Sequence, residues 1–168
     1  MVKKATKTVK EKAVKAALSL AATQGWNNTG LADIAAHAKI PMADLHDVFE
    51  DRFDILAAYG RMLDRRVLEA AGEPDPSLSP RDRLFDLLME RFDALNDDRD
   101  GVLSILNSLW CDPKQAVINL PHLGRSMSWM LEAADIEASG IRGAIKIAGL
   151  TALYLKTLKT WSTDDSMD

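Results

Sequence analysis

From Val14 to Leu158 the apolar residues recur three and four positions apart, and no convincing run alternates apolar with polar. That spacing is the period of a helix face, not of a strand. The chain is therefore expected to be all-α. In VKAALSLAATQG, residues Val14, Ala17, Leu18, Ala21 and Ala22 share one face, and Gly25 supplies the stop. A short turn, Trp26–Gly30, leads into LADIAAHA, with Leu31, Ile34 and Ala35 inward. After the turn AKI, Pro41 opens a third helix, where its fixed φ is tolerated, with Leu45, Val48 and Phe49 as the inner face. Asp51 caps a fourth helix that runs to Gly72.

Punctuation then divides the chain. EPDPSLSP, residues 73–80, packs three prolines into eight positions and reads as a linker near 73–79. Ser79 with Asp82 resembles a capping box, and Pro80 takes the first helical position. Helix five carries Leu84, Leu87, Leu88, Phe92 and Leu95, and Asn96–Gly101 reads as a turn. Helix six is Val102–Cys111, and Pro113 and Pro121 bracket a broken region. Helix seven is Leu123–Ala134, and helix eight is Ser139–Trp161, with the stripe Ile141, Ile145, Ala148, Gly149, Ala152, Leu155 and Leu158.

Charge and composition narrow the function. Net charge is −4 over 168 residues, so no global field draws the chain to nucleic acid or an anionic membrane. Locally the balance changes sign. Residues 1–15 hold six lysines (Lys3, Lys4, Lys7, Lys10, Lys12, Lys15) and one Glu11. Residues 28–54 hold Asp33, Asp44, Asp47, Glu50, Asp51 and Asp54 against Lys39 and Arg52. The lysine run is either a solvated terminus or an arm that contacts phosphates. The single Cys111 allows no internal disulfide and no cysteine metal site, which fits a reducing cytoplasm. Lys15 interrupts Ala13–Ala22, and Arg142, Lys146 and Lys156 interrupt Ile141–Leu158, so neither reads as an integral membrane segment. His37, His46 and His122 lie on separate elements, and no histidine pairs with a nucleophile. No catalytic centre, metal site or cofactor is expected.

The sequence AALSLAATQGWNNTGLADIAAHAKIPMADLHDVFEDRFDIL, residues 16–56, resembles the TetR family of one-component transcriptional regulators. Ala17, Gly25, Trp26, Asp33-Ile34-Ala35, Ala38, Ile40, Leu45, Phe49 and Leu56 fall where that pattern expects their types. The resemblance implies a helix-turn-helix domain over 1–56, with a basic arm at 1–15, and a ligand-binding and dimerising helical domain over 57–168. It also implies a double-stranded DNA partner. Lys3, Lys4, Lys7, Lys39 and Arg52 would hold phosphates, while Met42, Ala43 and His46 would approach base edges.

The sequence departs from the family pattern where DNA would lie, or where the turn is set. Gly30 replaces a hydroxyl before the second helix, and Lys39 replaces the turn glycine at a position that favours positive φ. Pro41 replaces a hydroxyl, His46 an aromatic and Arg52 a lysine. Five acids lie between Asp44 and Asp54. Two like charges at about 4 Å cost roughly 1 kcal/mol in water, and carboxylates facing phosphates would cancel much of the counterion-release gain.

Two further features belong to the second half. Phe85, Leu88, Met89, Phe92, Leu106, Trp110, Met127, Trp129 and Met130 either line an apolar pocket or form an ordinary bundle core rich in adaptable Met. Leu88, Phe92, Leu106, Trp110, Met127, Trp129 and Met130 are the pocket candidates, for a small apolar ligand or lipid. Gly140, Gly143, Ala144, Ala148 and Gly149 permit close helix approach. In the TetR architecture the last helices pair into a homodimer, which here would use Ala148, Gly149, Leu150, Leu153, Tyr154 and Thr157.

GW…LADIAA and TWSTDDS (160–166) are also similar to a bacterial branch of the coenzyme-Q biosynthesis lipid-binding family. That resemblance implies the same fold, used to hold a quinone precursor without binding DNA. Relatives of both kinds continue past Asp168, so a C-terminal truncation is left open.

Overall fold

The computed structural model describes residues 2–73 and 75–164, with only the backbone of residues 2–5. The chain forms α1 (Val2–Gln24), a 3-10 turn (Trp26–Asn28), α2 (Leu31–Ala38), α3 (Met42–His46) and α4 (Arg52–Ala71). It continues through α5 (Pro80–Asn96), α6 (Arg99–Cys111), α7 (Pro113–Ala133) and α8 (Gly140–Thr163). Among the described residues there is no strand, and no helix is long and apolar enough to cross a membrane.

Two compact units share the chain. One runs to Met62 and takes in Leu95–Asn119; the other combines Leu63–Ala94 with the chain from Leu120 onward. The proline-rich stretch joins α4 to α5 inside the second unit, and Pro74 lies outside the described residues. Ser79 behaves as its sequence suggests: its Oγ accepts from the Asp82 N–H at 3.2 Å and lies 2.6 Å from the Asp82 carboxylate.

In the first unit α1 packs on α6 and α2. Its buried face is Ala13, Val14, Ala16, Ala17, Leu18, Leu20 and Ala21. Ala22, expected inward, is exposed. So many alanines leave little between the backbones of α1 and α6, and at Gly101 nothing at all. A Cβ there would meet the Leu18 carbonyl oxygen at 2.6 Å. That contact places Gly101 within a helix: α6 begins at Arg99, and the Val102 N–H donates to the Asp98 carbonyl at 3.0 Å. The expected turn over Asn96–Gly101 is therefore shorter.

The region between Pro113 and Pro121 is helical, not broken. Asp112 precedes α7 and its carboxylate accepts the Gln115 N–H at 3.2 Å, while Pro113 occupies the first helical position. Those are start signals, and the helix runs on through Pro121. That proline can make no i−4 hydrogen bond, a local cost that does not end the helix here.

The second unit buries Leu63, Val67, Leu87, Met127, Met130, Leu131, Leu150 and Leu158. The end of α7 turns through Asp135, at φ 62, with the Ile136 N–H donating back to the Leu131 carbonyl at 2.9 Å.

Candidate functional site

The head is built around the turn after α1. Gly25 takes φ 85, which an L side chain rarely adopts, and lets the chain reverse so that Trp26 is buried. The Trp26 N–H donates to Ser104 Oγ on α6 at 3.0 Å, and Thr29 Oγ1 donates to the Gly25 carbonyl at 2.9 Å. Gly30 has no hydroxyl to offer α2, but its N–H donates to Asp33 Oδ2 at 2.9 Å, one half of a capping box.

Lys39 ends α2 in the left-handed conformation, φ 54 and ψ 47. The Ile40 N–H reaches back to the Ala35 carbonyl at 2.9 Å, the Schellman pattern usually built on glycine. Pro41 sits just before α3, and its carbonyl accepts the Leu45 N–H at 3.1 Å. Leu45, Phe49 and Ile40 are buried and fix the short α3 to the head. Lys39, Met42, Ala43 and His46 are thereby left exposed together, with Asp44 and Asp47 also exposed.

The acidic run is not uniform. Asp51 Oδ1 accepts the N–H groups of Phe53 and Asp54, at 2.7 and 3.0 Å, and Asp54 Oδ2 accepts the Glu50 N–H at 2.8 Å. Two of the five carboxylates thus cap α4, where the helix dipole favours negative charge. Asp44, Asp47 and Glu50 remain on the exposed surface.

Arg52 points into the head. Its guanidinium donates to the carbonyls of Trp26 and Thr29, at 2.9 and 3.2 Å, and lies 5.2 Å from the Trp26 ring and 5.3 Å from the Phe53 ring. A side chain held this way is a structural tie before it is a phosphate ligand. On α1, Lys7, Lys12 and Lys15 are exposed, and Lys7 lies 3.7 Å from Glu11. The side chains of Lys3 and Lys4 lie outside the described residues.

The pocket candidates separate. Leu106 and Trp110 belong to the first unit; Leu88, Phe92, Met127, Trp129 and Met130 belong to the second. Met127 and Met130 are fully buried, Leu88, Phe92 and Leu106 half-buried, and Trp110 and Trp129 are exposed.

The interior of the second unit also holds a polar cluster that sequence reasoning missed. Arg91 on α5 pairs with Asp64 Oδ1 on α4 and donates from Nε to the Tyr154 hydroxyl on α8 at 3.1 Å. Ser126 on α7 donates to Asp64 Oδ2 at 2.7 Å. All four residues are buried. Burial pushes the Tyr154 hydroxyl above its ordinary value, against the pull of Arg91. Burial also works against the Arg91 charge, but Tyr154 and Asp64 outweigh it and the guanidinium is held more firmly protonated. One signal in the sequence pointed here: Arg91 lies four residues from both Leu87 and Leu95, in phase with the buried stripe of α5.

On α8 the buried residues are Gly143, Leu150, Thr151, Tyr154 and Leu158. The stripe read from the sequence faces outward for most of its length: Ile141, Ile145, Ala148, Gly149 and Ala152 are exposed, joined by Leu153 and Thr157. Of the dimer candidates, Leu150 and Tyr154 face the interior. Among the described residues no cluster of His, Cys, Asp and Glu is arranged to hold a metal ion.

No protein-family model matches the sequence, and no curated protein matches it significantly. Solved structures do match. A TetR transcriptional regulator from Nitrosomonas europaea superposes with TM-score 0.71 at 24% identity, covering 94% of this chain and 87% of that one. A structure assigned to the TetR family of transcriptional regulators, from Rhodococcus sp., gives 0.62 at 18% identity, covering 95% and 90%. The dihydroxyacetone kinase operon activator DhaS gives 0.54 at 12% identity, covering 92% and 90%. The chain has the all-α fold of the TetR transcriptional regulators.

Proposed function

We propose that the protein is a dimeric TetR-like transcriptional regulator that reads double-stranded DNA with α3. The observation that carries this reading is the exposed group Lys39, Met42, Ala43 and His46, held out by the buried Leu45 and Phe49. On this reading Met42, Ala43 and His46 approach base edges. Phosphates are held by Lys39 and the α1 lysines, with Arg52 contributing mainly by holding the head in shape. The outward apolar stripe of α8 supports pairing of two copies through Ile141, Ile145, Gly149 and Leu153. Two half-sites would then lie about one helical turn of DNA, ~34 Å, apart. A small apolar effector would bind in the second unit near Leu88, Phe92, Met127 and Met130.

Asp44 and Asp47, exposed on and just after α3, favour a second reading: a small-lipid or quinone-precursor carrier on the same fold that does not bind DNA. A fluorescence-anisotropy titration against the protein's own upstream DNA at two salt concentrations separates the two. The regulator binds at low salt and weakens steeply as salt rises. Absence of binding at low salt removes the regulator reading and leaves the carrier.

A further inference from the structure

The buried cluster of Asp64, Arg91, Ser126 and Tyr154 joins four helices through a single carboxylate. Asp64 sits on α4 two residues past Met62, where that helix leaves the first unit. One of its oxygens is taken by α5 through Arg91 and the other by α7 through Ser126. Arg91 in turn reaches α8 through the Tyr154 hydroxyl and lies 5.4 Å from that ring. Leu63 and Val67, beside Asp64 on this part of α4, are apolar and buried. Apolar contacts are non-directional, so they leave the axial setting of a helix weakly defined. A buried ion pair behaves differently. It adds little stability over well-packed apolar residues, but it is strongly unfavourable when one partner is lost.

We infer that the Asp64–Arg91–Ser126–Tyr154 cluster is a latch that selects one axial setting of α4, contributing specificity of position and not net stability. A slip of one helical turn, about 5.4 Å, would bring Gly60 or Leu68 opposite Arg91. Neither side chain accepts a hydrogen bond. Glu69 is no substitute, because it is exposed and paired with Arg65 at 2.7 Å. Only one setting of this part of α4 therefore satisfies both the guanidinium and the carboxylate. The inference concerns the second unit and does not depend on whether DNA is bound.

The test compares the wild type with the apolar variant Asp64→Leu/Arg91→Met/Ser126→Ala/Tyr154→Phe, which leaves no member of the cluster without a partner, and the milder Ser126→Ala, by urea unfolding and by amide hydrogen exchange along Leu63–Ala71. In the apolar variant the urea midpoint should stay at or above that of the wild type, while exchange in this segment speeds up more than tenfold. Its tryptophan indole NMR signals should split into more than one set. Ser126→Ala, which frees one carboxylate oxygen, should show a smaller acceleration. Wild-type protection with a single set of signals in the apolar variant would overturn the latch. So would loss of its cooperative unfolding transition, since the cluster would then be an ordinary stabiliser. Each of these readouts is independent of the DNA titration, so failure of the latch and failure of the regulator reading are separable.

Discussion

Gly101 and Leu18 hold the backbones of α6 and α1 so close that no side-chain carbon fits between them, a Cβ on Gly101 lying 2.6 Å from the Leu18 carbonyl oxygen. Gly101→Ala must push the two helices apart and should cost about 1–3 kcal/mol, the usual range for overpacking. Gly60→Ala is the control: its Cβ would meet nothing within 4 Å. Relief of the glycine helix penalty there should add up to ~1 kcal/mol. Urea midpoints moving in opposite directions for the two variants confirm the close crossing; a neutral Gly101→Ala refutes it.

Lys39 holds φ 54 without a glycine's freedom. The left-handed conformation costs an L residue roughly 1–2 kcal/mol. Lys39→Gly should recover much of that and raise the melting temperature, whereas Lys39→Ala should not. A lower melting temperature for Lys39→Gly would show that the lysine side chain contributes more than its backbone costs.

Arg52 bridges α4 to the carbonyls of Trp26 and Thr29. Arg52→Ala should destabilise by about 1.5–3 kcal/mol, the range for hydrogen bonds to a charged group. Arg52→Lys should recover only part, since an ammonium lacks the planar face set against Trp26. If Arg52 served DNA alone, both variants would unfold like the wild type and only the salt dependence of DNA binding would change.

Tyr154 ties stability to alkaline pH. Its folded-state pKa is raised above the ordinary 10.0, first by burial. The stability linked to it is present in full below about pH 10 and is lost as pH rises through the raised value. Tyr154→Phe should begin less stable at neutral pH, having removed the partner of Arg91 Nε, yet decline less between pH 10 and 11.5. Urea midpoints measured across that range decide it, and parallel declines for the two proteins contradict the assignment.

On α8, Ile145 and Leu153 stand 67% and 56% exposed. Ile145→Asp/Leu153→Asp should leave helicity intact and halve the mass seen by light scattering at micromolar concentration. A wild type that is already monomeric at that concentration would sink the proposed pairing.

Much of this fold was legible because local chemistry and tertiary packing agreed. Gly25, Asp51 and Ser79 end or start helices where their side chains and φ preferences predict. Lys39 adopts the positive φ that its position in the turn suggested. The failures come from residues with two possible roles. Pro121 reads as a breaker but is carried inside α7. Gly101 reads as a turn but is required by a neighbouring backbone. The stripe on α8 has a perfect core pattern, yet periodicity says only that residues share a face, not which way the face points. Arg91 and Asp64 carry no clear signal in the sequence because a charge inside a helix is ordinarily solvated, and only the third dimension shows each satisfying the other.

The docking of α6 against the turn at Trp26 has a consequence for the order of events during synthesis. Ser104 and Gly101 leave the ribosome long after α1 and α3, so the head cannot be complete when its own residues first emerge. Until then the α1 surface around Leu18 has no α6 to cover it. A nascent chain paused near residue 62 would offer that surface to chaperones, and closure of the head must wait for α6.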